Sequence, residues 1–585
     1  MTLPRRDHVS PRSGRSRAAR RRSIRARLRL ALFAAAGFAA VIGSAWVAEV
    51  RLSALLDPAS HARVGELVRG LFPADLSPAF LRVVALAAAR TVAIAAIGTV
   101  LSVVVALPLG ILGTATLFRT GPLVAGDPAT PGRRLLAWLS AAARGVLGLL
   151  RAVPDLVWAM GFVVGVGLGP VPGVGALAVS YGGVLGRVFA DLFEDVDPRP
   201  LEALRTTGAS RAQIFVFGIW PQALPGVVAY TLYSFECCVR AAAVLGLVGA
   251  GGIGYEIALS MRQFEYGEIV TLVGALVALM WLTEAASTAL RRVLRANAPP
   301  GVLAHRRIHP GASTRRPRTP VLGVVAVVAT AATMAAGWAY RDVFDASTAT
   351  GLARFAVGLF PPDLSPGYLR ALLGPIGQTL GISVIGTLIG IVLGGLLGIA
   401  ATAPHPEDDR VRGAAALVRH VLRRACRVAL ALLRAIPDLL WVLVCILAVG
   451  LGPFAGTLAL GAHTAGVLGK LYADTFEEVS PLPLRGLRST GASPLQILVW
   501  GAWPEARRML VSYTVLRWEM NLRASTVVGL AGGGGIGIEL YNSLQLGFYP
   551  RVATLTLVVG LLVAATGAIG DAIRRRLGSA SSLDH

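Results

Sequence analysis

Four charge pairs with four-residue spacing stand out from an otherwise apolar chain. Arg151 precedes Asp155, Arg434 precedes Asp438, Glu236 precedes Arg240, and Glu519 precedes Arg523. Residues four apart on a helix are neighbours, so each arginine can reach its carboxylate. Charges at membrane depth are costly and face a bundle interior or a water-filled route. Two readings stay open for each pair. One is a buried structural ion pair. The other is a pathway-lining or gating site, where an arginine muted by its carboxylate offers an anion a weak positive charge. Pro154 and Pro437 lie within the Arg–Asp spacing, where a proline frees a carbonyl and permits a kink.

Two glycine-rich runs follow the Glu–Arg pairs, one with Gly251, Gly252 and Gly254, the other with Gly534, Gly535 and Gly537. In a βαβ context such a run suggests a phosphate cradle. No such context exists here. The runs read as a break or re-entrant turn after a span, or as a gate facing delivered substrate. Non-helical backbone at membrane depth must be buried or line a cavity.

A third pattern lies between apolar runs. Asp197 can cap a helix beginning at Pro198, Gly208 can end it, and Ser210 can start the next after Ala209. Ser480-Pro481, Gly491, Ala492 and Ser493-Pro494 rebuild the device. Such doubled capping predicts a short, rigid helix on the solvent side, fit to dock a cytoplasmic partner.

The elements that position these residues follow from composition. The 585 residues are 55% hydrophobic and 15% charged, against about 25% charged in a soluble domain. The chain is therefore an integral membrane protein. Apolar runs lie near 30–50, 81–113, 146–169, 173–192, 222–247 and 269–290. They recur near 321–340, 373–400, 429–452, 455–473, 509–530 and 551–570. At about 20 residues per span, this predicts about twelve transmembrane helices, the first an uncleaved span rather than a signal peptide. The net charge is +24, and Lys470 is the sole lysine among 56 basic residues. The arginines cluster at 133–144, 199–211, 291–318, 410–427, 485–508 and 574–576. The positive-inside rule and an even span count place these segments and both termini in the cytoplasm. The basic excess thus reads as topology, with no nucleic-acid partner. An arginine-rich tail, 1–29, would lie on anionic lipid.

An internal repeat organises the chain. Leu-Phe-Pro-Ala-Asp-Leu-Ser-Pro at 71–78 returns as Leu-Phe-Pro-Pro-Asp-Leu-Ser-Pro at 359–366, 288 residues on. The Arg-Ala-Xaa-Pro-Asp segments, Thr-Gly-Ala-Ser at 207–210 and 490–493, and the glycine runs all repeat at 283 residues. Six spans per copy make the repeats parallel. The expected fold is an all-α integral membrane protein of two parallel six-helix repeats, 30–290 and 321–576. A cytoplasmic linker at 291–320 joins them, and a tail at 577–585 ends the chain. A fused homodimer of this kind suits a two-fold assembly with a central pathway.

Glu202-Ala203, then Gly208, then Pro221 thirteen residues later resembles the coupling loop of ABC importer permeases; Gly491 and Pro504 keep the same spacing. With the flanking Arg-Ala-Xaa-Pro-Asp-Leu and Gly-Gly-Ile-Gly segments, the chain resembles two fused phosphonate-type permeases over most of 71–290 and 359–576. Two departures stand out. Arg485 occupies the position matching Glu202, and Leu204 and Leu487 replace the motif's alanine. The resemblance implies the ABC importer permease fold in a bacterial inner membrane and a pathway for phosphonate or a related phosphorus oxyanion. It implies two copies of a cytoplasmic ABC ATPase and an extracytoplasmic substrate-binding protein as partners. No cofactor would be bound by this chain; the ATPase subunits would use the ATP.

The other function classes fare poorly. The sequence holds no Walker A motif, since Lys470 is followed by Leu471. It holds no HExxH, and Cys237, Cys238, Cys426 and Cys445 show no metal spacing. A secondary transporter commonly shows inverted repeats and interrupted spans. Phosphite, phosphate or an amino acid remain as other cargoes of the same machine.

Overall fold

The computed structural model describes residues 37–118, 131–296, 346–402 and 414–579, apart from six single positions in the first two stretches. The tail 1–29, the linker from 297 on, the run at 321–340 and the last six residues lie outside the described residues.

The first repeat runs through α1 (Gly37–Val47), α2 (Pro58–Gly70), α3 (Pro78–Gly113), α4 (Pro131–Ala152) and α5 (Asp155–Val166). It continues through α6 (Pro170–Glu194), α7 (Pro198–Thr206), α8 (Trp220–Leu245), α9 (Ile253–Arg262) and α10 (Tyr266–Ala296). The second repeat follows the same order. Its helices are α11 (Ala346–Gly358), α12 (Leu373–Ala401), α13 (Ala414–Ala435), α14 (Asp438–Val449), α15 (Pro453–Glu477), α16 (Pro481–Ser489), α17 (Trp503–Val528), α18 (Ile536–Gln545) and α19 (Tyr549–Ser579). No strand occurs among the described residues.

Six described helices are long and apolar enough to cross a bilayer, or eight if each bent pair counts as one span. The helices α15 and α17 stand where α6 and α8 stand in the first repeat; α15 is charged like α6, whereas α17 carries more charge than α8, holding Arg507, Arg508, Arg517, Glu519 and Arg523. One sequence expectation changes. The apolar run at 146–169 is two helices, α4 and α5, bent by 81°, and α13 and α14 bend by 93°. Pro154 and Pro437 are the N-caps of α5 and α14, so the chain turns where a continuing helix would lose a hydrogen bond.

Small residues bring the long helices together, as membrane packing favours where apolar burial gives no advantage over lipid. A Cβ on Gly110 of α3 would lie 2.9 Å from the Gly186 carbonyl of α6. On α12, a Cβ at Gly394 would stand 2.8 Å from Ala465 O, and one at Gly398 2.6 Å from Gly469 O. Ser102 Oγ adds a bond across the first pair, donating to Leu177 O at 2.9 Å.

The halves interlock. Val153, Val157 and Met160 from the first share a core with Leu522, Ile536 and Leu540 from the second. Leu439 and Val527 of the second join a cluster built on Ile94, Leu177 and Val239. Each short helix after the proline break takes a helix from the other half: α11 packs on α5, with Phe355 against Gly161, and α2 packs on α14. Helix α1 lies on α12, where Ser44 O comes 2.8 Å from the position of a Cβ on Gly381.

Candidate functional site

Helix α7 is built from its caps inward. Arg199 N donates to Asp197 Oδ1 at 3.0 Å, while Asp197 N donates to Gln222 Oε1 at 3.2 Å, tying the start of α7 to α8. Gly208 ends the turn at φ +78°, a conformation glycine adopts without steric cost. Ser210 and Gln213 then form a reciprocal capping box, with N···O distances of 3.4 and 2.8 Å. The second copy repeats this with Ser480 N to Glu505 Oε1 at 3.2 Å, Gly491 at φ +81°, and Ser493 with Gln496 at 3.4 and 2.7 Å.

The underside of each helix is apolar. Leu201 and Leu204 press on Gly218, where a Cβ would meet Leu201 Cδ2 at 2.6 Å; Leu484 and Leu487 press on Gly501. This contact explains why leucine stands at 204 and 487. Glu202, Ala203, Gly208 and Ser210 are exposed on the outside, as are Arg485, Gly491 and Ser493. Ala209 and Ala492 are half-buried, and Pro221 and Pro504 are exposed in the first turns of α8 and α17. Each half thus carries a stiff polar ridge on an apolar base.

A pair that the sequence reading missed braces the same end of the bundle. Arg144 of α4 binds Glu194 at the end of α6 and donates through Nε to Gly113 O. Arg427 binds Glu477 and donates to Ala401 O at 3.0 Å. Partners fifty residues apart leave no local spacing signal; only recurrence of both residues at the repeat offset points to them.

The intramembrane charges sit along the seam between the halves, in a different arrangement from the sequence expectation. Because α4 ends at Ala152 and α5 begins at Asp155, Arg151 and Asp155 share no helix face. Each aspartate instead accepts a backbone N–H in its own first turn: Leu156 N to Asp155 Oδ1 at 3.1 Å, Leu439 N to Asp438 Oδ1 at 3.2 Å. The carbonyl four residues before each proline is recovered by the next tryptophan. Trp158 Nε1 donates to Leu150 O at 3.4 Å, and Trp441 Nε1 to Leu433 O at 3.2 Å.

Asp155 lies in the field of Arg523 across the seam, and Asp438 in the fields of Arg517 from its own half and Arg240 from the other. Arg523 Nε is buried without a hydrogen-bond partner, with Glu519 and Asp155 both in its field. Arg434 reaches Glu284 of the other half at 3.5 Å. The seam is therefore a set of crossed charges between halves, not pairs within helices.

The glycine runs form buried turns. Gly251 and Gly252 hold φ of +82° and +77°, and Gly534 and Gly535 hold +82° and +75°. Thr91 Oγ1 accepts from Ile253 N, and Thr379 Oγ1 from Ile536 N, each at 2.9 Å. Gly254 and Gly537 pack directly on the preceding helix. No cluster of metal-ligating side chains occurs among the described residues.

Residues 122–297 and 412–580 match the family described as the binding-protein-dependent transport system inner membrane component. The two matches cover more than half of the chain, one per repeat, and the chain belongs to this family: it is a multi-pass inner-membrane permease subunit with two parallel repeats. Among its relatives, the chain is 30% identical to the phosphate-import permease protein PhnE of Mycolicibacterium smegmatis, over 92% of this chain and 93% of that one. It is 36% identical to the phosphite transport system permease protein PtxC of Stutzerimonas stutzeri, over 40% of this chain and 82% of that one. Among solved structures, an inward-facing MetNI methionine ABC transporter chain is covered over 99% of its length and 37% of this chain, with 21% identity and a TM-score of 0.33.

Proposed function

We propose that the two halves together form the translocation pathway of an ABC importer for a phosphorus oxyanion: phosphonate, phosphite or phosphate. The observation that carries this reading is the pair of capped, exposed helices at one end of a bundle whose central seam holds Arg240, Arg517 and Arg523. The names of the full-length and half-length relatives supply the cargo class. ATP is hydrolysed by separate subunits, one copy docking on α7 and one on α16. An extracytoplasmic binding protein delivers substrate to the opposite face. Closure of the ATPase dimer presses on both ridges, and their apolar bases pass the movement to α8 and α17. Arg151, Pro154, Asp155 and their counterparts Arg434, Pro437 and Asp438 lie at the bends, beside the route. Both termini and the linker are cytoplasmic, and the permease units are 30–290 and 321–576.

Uptake of labelled phosphate, phosphite and methylphosphonate by a strain lacking its own importers tests the cargo. Uptake of none of the three overturns it. Gly208→Asp and Gly491→Asp test the docking ridges. At each position φ is positive and the space beyond is open, so the spans fold and the strain stays local. Uptake should fall at least about tenfold, with ATPase lost from the purified complex. Wild-type uptake in both variants overturns the docking role.

A further inference from the structure

The charges named at the seam balance across the repeat. Arg151, Arg240, Arg434 and Arg523 stand against Asp155, Glu236, Asp438 and Glu519. Arg517 is surplus. The residue 283 positions earlier is Ser234, so only the second half carries this cation.

Arg517 is 9% exposed, in the middle of α17. Its Nε donates to Thr464 Oγ1 across a long 3.4 Å, and its remaining N–H groups find no partner among the described residues. Asp438 lies in its field without closing an ion pair. Arg240, from the other half, shares that field and is exposed.

The surroundings of Arg517 are polar. Thr464 Oγ1 donates to Asn521 Oδ1 at 3.1 Å, and Asn521 Nδ2 donates to Thr387 Oγ1 at 2.8 Å. Thr464 and Asn521 are fully buried. The corresponding first-half residues are Tyr181, Cys238 and Thr99; there Cys238 bonds Thr99, but no arginine stands where Arg517 does. A guanidinium presents five N–H groups in a rigid plane that matches two oxygens of an oxyanion. Here one is committed. A buried cation with unused donors, held by a hydrogen-bonded Thr–Asn–Thr network and with a second arginine in its field, suits a tetrahedral anion better than it suits packing.

We propose that Arg517, with Arg240 across the seam, forms a one-sided anion station, so that the second half holds the phosphorus oxyanion in transit and the first does not. The assignment rests on the cargo reading above.

The test uses the full chain with its ATPase in nanodiscs for binding of labelled inorganic phosphate, and the complete importer in cells for uptake. Arg517→Ser should weaken phosphate binding and slow uptake by at least about tenfold, and Arg517→Lys should fall between it and wild type. A structural role as counter-ion to Asp438 predicts a different outcome for Arg517→Ser combined with Asp438→Asn, which removes both charges. Recovery of that double variant to within about twofold of wild type overturns the station, as does wild-type binding by Arg517→Ser. Continued loss in the double variant supports it, and recovery of folded protein without recovery of binding separates the two roles. If the wild type imports none of the three phosphorus anions, the cargo reading fails and this assignment with it. If the wild type imports and Arg517→Ser imports equally, only the station fails.

Discussion

The two halves hold their surface helices by the same bonds, yet offer different charges. Asp197 and Ser480 are tied to the next helix through Gln222 and Glu505, and both turns end on a glycine with positive φ followed by a Ser–Gln capping box. On that common frame Glu202 faces outward in one half and Arg485 in the other. Deeper in the bundle, Ser234, Tyr181 and Cys238 of the first half correspond to Arg517, Thr464 and Asn521 of the second. Residues that set the backbone are duplicated, while charge has diverged at 202 against 485 and at 234 against 517. In a homodimer every substitution appears twice; in a fused chain one half changes alone.

The strongest test of the shared frame is at the glycine turns. A Cβ on Gly254 would lie 1.8 Å from Ala243 O, and one on Gly537 2.1 Å from Thr526 O. Both contacts are with backbone and relax only if helices move apart. Gly254→Ala and Gly537→Ala should each destabilise by about 3 kcal/mol, read as loss of monodisperse protein in detergent and a lower melting temperature. Gly251→Ala, with open space around it and only a positive φ, should cost about 1 kcal/mol. Tolerance in one half only would break the equivalence of the turns.

The braces separate next. The Arg144 and Glu194 side chains are 21% and 26% exposed; those of Arg427 and Glu477 are 49% and 30% exposed. Arg144→Ala should cost about 1–2 kcal/mol, and Arg427→Ala under about 1 kcal/mol because solvent screens the more open pair. Thermal melts of the two variants check the order, and a reversed order contradicts the burial argument.

Charge on the ridges should matter to uptake rather than to stability. Glu202→Arg and Arg485→Glu are exposed changes that leave the melt unchanged within about 0.5 kcal/mol. If identical ATPase subunits meet one acidic and one basic ridge, the two variants change uptake unequally, by a few-fold. Wild-type uptake in both singles and in the double swap means that the contact lies in the Gly-Ala-Ser turn instead.

The smallest effect is at the loops opposite these ridges. Asp363 and Asp75 make matching backbone bonds, to Pro550 O at 3.1 Å and Gly267 O at 3.2 Å. Asp363 also meets Arg551 at 3.5 Å, whereas the position matching Arg551 is Glu268 in the first half. Hydrogen bonds from Ser365, with Arg551 alongside, hold the Asp363 carboxyl below its ordinary range. Its folded value is thus below its unfolded value of about 3.9. The stabilisation is present at neutral pH and fades as pH falls through the folded value. The melting difference between wild type and Asp363→Asn should stay flat above about pH 5 and vanish in stronger acid. A difference that grows toward low pH refutes the assignment.

Most of the fold was legible because the repeat says the same thing twice. Helix caps were equally legible, since Asp197, Gly208, Ser210 and their counterparts act within four residues of chain. The spacing of Arg151 and Asp155 misled because a four-residue rule presumes an unbroken helix, and Pro154 ends it between them. The Arg144–Glu194 brace and the Arg517 network lay beyond local reading. Their partners are separated by 50 to 134 residues, and contact at that range is decided by helix packing.

Helix α1 touches Gly377 and Gly381 of α12, more than three hundred residues further along the chain. A ribosome adds about 5–20 residues per second, so α1 waits roughly 17–70 s for the surface it rests on. Made long before its partner, α1 reaches its final place late, and it fastens the second half only after that half exists.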